Sequence, residues 1–119
     1  MHSAVLIARM RAVGAQVHHA GVAFPHATPD EEWLAACGDR RWFVLTRDRQ
    51  IRRRILEREA IEAHGVGAFV FTGGQATGDD TAEIVQRLLP KMVNIAISER
   101  RPFIYTFGLH TPLRRLPAR

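Results

Sequence analysis

The sequence predicts an α/β fold: three layers, α/β/α, with a mostly parallel sheet covered by helices on both faces. Three observations carry this. Trp42–Thr46 and Ala68–Phe71 are continuous runs of aromatic, β-branched and small apolar residues, the pattern of strands buried on both faces. Longer stretches with helical apolar spacing follow each run. Strands alternating with helices in this way build a parallel sheet with helical cover. The predicted order is αβαβαβαβ with a hairpin-like tail, in one domain over residues 1–119.

The first predicted element is a helix over Ser3–Val13. Leu6, Met10 and Val13 share a face, Ser3 can cap its start and Gly14 can end it. Gln16–Ala20 is a short strand around Val17. His18 and His19 are adjacent in it, so they point to opposite faces and do not easily ligate one metal. Gly21–Pro29 is a loop. Thr28 or Asp30 can cap the helix that follows, Trp33 and Leu34 start its buried face, and Gly38 stops it. After the Trp42–Thr46 strand, Gln50–His64 reads as a helix with Ile51, Ile55, Leu56, Ala60 and Ala63 as its apolar stripe. Gly65 and Gly67 bracket its end.

Ala68–Phe71 is the next strand. Thr72-Gly73-Gly74 reads as a turn, because a phosphate loop requires GxxxxGK[ST]. Asp80 and Glu83 resemble a capping box opening a long helix whose apolar face runs from Ile84 to Ala96, and Pro90 should kink or break it. Pro102 starts a last strand, Phe103–Phe107, which pairs with Leu113–Leu116 across a Gly108–Pro112 turn.

A chain of 119 residues with 46% hydrophobic composition is long enough for one packed core. It has no apolar run long enough to span a bilayer and no signal-peptide pattern at its start. Cys37 is the single cysteine, which excludes an internal disulfide and suits a reducing cytoplasm; core packing is its expected role. The net charge is +5. Gly38–Arg58 holds eight arginines and three acids, so this one segment carries the whole excess. Such a concentration suits a polyanion rather than general solubility, with a solvated arginine-rich helix as the alternative.

The chemistry gathers between Pro29 and Arg54. Ligands and catalytic groups in parallel sheets collect outside the carboxyl ends of strands. Asp48 lies just past the Trp42–Thr46 run, and Asp30, Glu31 and Glu32 open the helix before it. Acids in a helix's first turn are favoured by its dipole alone. Brought beside Asp48, they could hold a hard cation such as Mg²⁺.

Asp30-Glu31-Glu32-Trp33, the spacing to Val44-Leu45-Thr46-Arg47-Asp48 and the basic helix beyond resemble the PIN-like nucleases, in particular the VapC-type toxins. The resemblance implies a metal-dependent endoribonuclease, with Mg²⁺ or Mn²⁺ as cofactor. It puts Asp30 at the helix-start metal ligand and Asp48 at the ligand after the strand, with Glu31 a further catalytic candidate. Arg47, Arg49, Arg52, Arg53 and Arg54 would bind RNA phosphates, and Thr46 would position water or phosphate. An antitoxin protein is the implied partner, and a nucleic-acid- or partner-binding module without cleavage is the alternative. The family also opens with a central strand ending in an aspartate, which the sequence does not show. A frame beginning earlier, or self-association into a homo-oligomer, is therefore expected.

Overall fold

The computed structural model describes residues 5–11, 14–19, 29–47, 53, 55, 59–72 and 78–117. They form strands β1 (Val5–Arg11) and β2 (Gly14–His19), helix α1 (Asp30–Asp39), β3 (Trp42–Thr46), α2 (Glu59–His64) and β4 (Gly67–Phe71). α3 (Gly78–Ser98), β5 (Phe103–Phe107) and β6 (Arg114–Arg115) complete the order. Arg53 and Ile55 are helical as well. The other positions of the predicted helix ahead of Glu59 lie outside the described residues.

One six-stranded sheet runs β2-β1-β3-β4-β5-β6. Its centre, β3-β4-β5, is parallel, as the α/β pattern predicts, and the pairings at either margin are antiparallel. Side chains along the central strands alternate between two cores. Trp42, Val44, Ala68, Val70 and Ile104 meet Trp33, Leu34 and Cys37 of α1, together with Ile55 and Ile61. Phe43, Leu45, Phe69, Phe71 and Phe107 meet Ile84, Met92 and Ala96 of α3. The strand period of two therefore produces the three layers: α1 and α2, the sheet, then α3. Phe69 centres the second core, with ring centroids 5.1 Å from Phe43 and 5.5 Å from Phe103, both edge-on. Burying each such ring contributes about 1.5–3 kcal/mol.

The predicted Ser3–Val13 helix is instead β1. Its residues pair antiparallel with β3, Val5 against Thr46 and Ile7 against Val44. A helix there would leave the amides on that side of a buried strand without partners, at about 1–3 kcal/mol for each buried group. Val5, Leu6 and Ile7 suit a strand as well as a helix, so pairing decides. Gly14, the expected helix stop, opens β2, whose residues pair with β1. β1 thus takes the place beside β3, running against it.

Smaller boundaries also move. Pro29, not Thr28 or Asp30, is the N-cap of α1, and its carbonyl accepts from the amides of Glu32 and Trp33 at 3.0 and 3.2 Å. Gly38 does not stop α1, which continues to Asp39; the chain reverses at Arg41, whose φ is +58°. Gly38 is needed for close approach: a Cβ there would lie 2.1 Å from the His64 carbonyl oxygen at the end of α2. Asp80 lies within the first turn of α3, which opens at Gly78 rather than on a capping box. α3 also runs through Pro90 without a break. Pro90 faces solvent, while Ile84 before it and Met92 after it pack into one core, which holds both halves in line.

Other expectations stand. Gly65, at φ +64°, ends α2 in the left-handed conformation, and the Val66 amide donates back to Ile61 at 3.1 Å. The tail returns as a hairpin: β6 pairs with β5, and the Leu116 amide donates to Ile104 at 2.9 Å.

Gly38→Ala is expected to cost about 1–3 kcal/mol, because the added methyl meets a backbone carbonyl and must push the helices apart. A urea midpoint equal to that of the unsubstituted protein would show that α1 and α2 do not touch at this point.

Candidate functional site

β3, β4 and β5 end on the same edge, with Thr46 opposite Val70 and Phe71 opposite Phe107. α1 leads into β3 through Arg40 and Arg41 alone and so runs back against it. Ten helical residues rise about 15 Å and five strand residues about 16 Å. The first turn of α1, with Asp30 as its first residue, therefore lies level with the carboxyl end of β3. Glu31 and Glu32 in that turn are exposed. Asp48, Arg49, Arg52 and Arg54 lie outside the described residues, as does the side chain of Asp30.

Arg47 is half-buried at this edge, and its Nη1 donates to Thr81 Oγ1 at 2.6 Å. Thr81 is a buried residue in the first turn of α3, beside exposed Asp79 and Asp80. Sequence spacing read this turn only as a helix start. The order β4-α3-β5 was the available signal, since a helix leaving a parallel strand begins at that strand's carboxyl edge. Arg47 is thus tied to α3, where an exposed phosphate ligand was expected. Thr46 is only 1% exposed, so its hydroxyl does not face bulk water as a substrate-positioning group would. Among the described residues no group of three or more His, Cys, Asp and Glu is arranged to hold a metal ion.

The basic segment is divided by the fold. Arg40 and Arg41 precede β3 and Arg47 follows it, so they stand at opposite ends of the sheet. The sequence had placed all of this charge beside the acids. The strand separates the groups by about 16 Å. Arg53 is exposed.

Residues 2–73 match the family described as PIN like domain. The match covers more than half of the chain, from β1 through β4, and includes every candidate acid and arginine named above. The chain belongs to the PIN-like domain family. No curated protein and no solved structure matches it. Membership points to the nuclease superfamily and to nucleic acid as what the domain acts on. No helix among the described residues is long and apolar enough to cross a membrane.

Cys37 stands apart from this edge, fully buried in the α1–α2 core. Burial, against the smaller opposing pull of Arg40 and Arg101, pushes its thiol up from 9.0 to about 12. It packs, as expected, and is no nucleophile. The folded chain holds this proton more tightly than the unfolded chain does. The contribution of this thiol to stability is therefore fully present below about pH 9 and is lost as pH rises towards 12. The unfolding midpoint should fall across that window by more in the native sequence than in Cys37→Ala, and native Cys37 should resist Ellman's reagent at pH 8. Rapid labelling of the folded protein would contradict the buried position.

Proposed function

We propose that this PIN-like domain is a metal-dependent endoribonuclease that hydrolyses RNA phosphodiesters, acting as the toxin of a toxin–antitoxin pair in the manner of VapC-type proteins. One observation carries the reading: α1 begins with Asp30 at the edge where β3 ends, and Asp48 is two residues beyond β3 in the chain. Asp30 and Asp48, with Glu31 as a weaker candidate, are hard oxygen donors that suit Mg²⁺ or Mn²⁺. When bound, such a cation would offset phosphoryl charge and polarise the attacking water. The start of α1 favours carboxylates such as Asp30 and Glu31 through its dipole and free amides.

Arg53, with Arg49, Arg52 and Arg54, would grip the RNA backbone, giving affinity without reading sequence. Arg47 adds charge from a position fixed by Thr81. Self-association belongs to the same proposal, since β2 is a sheet margin and strand margins invite pairing.

A second reading has its own support. β1 lies beside β3, yet its sequence, VLIARMR, carries no acid, so the edge has fewer carboxylates than the family's pattern. On that reading the domain binds nucleic acid or a partner protein with weak cleavage or none. Labelled RNA incubated with the protein and Mg²⁺, Mn²⁺ or EDTA separates the two: metal-dependent shortening supports the nuclease, and binding without shortening supports the module.

Asp48→Asn should lower cleavage by about two orders of magnitude or more while leaving unfolding and RNA binding near normal. Full turnover by the folded variant would remove Asp48 from metal binding. Changing Arg52, Arg53 and Arg54 together to Ala should flatten the salt dependence of binding by up to about 0.7 in log–log slope per lost phosphate contact. An unchanged slope would make the cluster a solvated helix face.

A further inference from the structure

At the amino ends of the parallel strands, opposite the candidate catalytic edge, two loops 60 residues apart in sequence come together. Arg40 and Arg41 join α1 to β3, and Arg100 and Arg101 join α3 to β5. Arg101 is the link. Its Nη1 donates to the Trp42 carbonyl at 2.6 Å and its Nη2 to the Arg41 carbonyl at 3.2 Å. Its guanidinium also lies 5.8 Å from the Phe103 ring centre, and that of Arg40 lies 4.9 Å from the Trp42 ring centre. Arg40, Arg41 and Arg100 are exposed. Four arginines thus lie on these two adjoining loops, two of them held in place by carbonyls or aromatic rings.

Among the described residues these loops carry two acids. Glu99, beside the loop, has both oxygens engaged, one accepting from the Tyr105 hydroxyl and the other from Arg115. Asp39, exposed at the end of α1, is the other acid on these loops. The charges of Arg41 and Arg101 are close enough to disfavour one another: burial first, then Arg41, lowers the affinity of Arg101 for its proton. An anion lying across both would relieve that repulsion. Guanidinium forks suit the paired oxygens of a phosphate, and Trp42 and Phe103 are buried, so no ring is presented for base stacking.

We propose that this arginine face is a second phosphate-binding site, contacting the backbone of a single-stranded RNA without reading its bases. An RNA chain is a polyanion that can span the ~16 Å along β3 from this face to Arg47 at the other end. The site rests on RNA as the bound class under the proposed function, but not on cleavage. It needs no metal.

The test is binding of a fluorescent single-stranded RNA in EDTA across a salt series, so that an inactive catalytic edge leaves the readout untouched. Arg101 is kept because it ties the two loops together. R40A/R41A/R100A should weaken binding by about fivefold per lost contact near 0.1 M salt and flatten the log–log slope by about 0.7 per contact. R40K/R41K/R100K should restore most of the slope. If the alanine variant does not fold, the single substitutions R41E and R100E should each weaken RNA binding in the same salt-dependent way. Unchanged affinity and slope in a folded variant would overturn the site. Displacement of polyglutamate but not of RNA by these substitutions would overturn it too, in favour of an acidic protein partner.

Discussion

β3 is buried on both faces and paired on both edges, and the rest of the domain is arranged to meet those four demands. Trp42 and Val44 need cover on one side, Phe43 and Leu45 on the other. Its amides need β1 on one edge and β4 on the other. A strand of five residues with no exposed side chain has no water to complete its hydrogen bonds, so each neighbour is obligatory. α1 and α2 close one face, α3 the other, and β1 is drawn into the sheet although its own residues would also suit a helix.

The same strand organises the chemistry. It is short, and its two ends carry different things. At its carboxyl end Arg47 is tied to α3, the first turn of α1 stands level with it, and the chain goes on to Asp48. At its amino end Arg101 fastens the α1–β3 loop to the α3–β5 loop and gathers arginines far apart in sequence. Charge that reads as one basic segment is therefore two surfaces.

Close contacts fix the register of these parts. Gly38 lets α1 rest on the end of α2, and Gly67 lets the Phe103 ring cover β4, since a Cβ at Gly67 would lie 2.3 Å from that ring. Both glycines are defined by what touches them. Neither is at a helix stop or a turn, the roles that glycine suggests in a bare sequence.

The sequence by itself determined the α/β class, the central strands, the long third helix, the hairpin tail, the packing role of Cys37 and the family likeness. Each of these rests on local information: an uninterrupted apolar run, a helical spacing, a lone thiol in an apolar helix face, an acid placed just past a strand. Tertiary structure decided what depends on partners. The residues around Val5–Arg11 fit either a helix or a strand, and the open edge of β3 selected the strand. Pro90 carries a helix-breaking signal, yet packing on both sides of it kept α3 whole. Arg47 reads as a surface charge until Thr81, 34 residues later, takes its guanidinium. Arg40 and Arg41 join Arg100 and Arg101 only because β3 and β5 begin at the same edge of a parallel sheet. Sequence spacing measures distance along the chain, whereas charge and hydrogen bonding act across space, and only the fold relates the two.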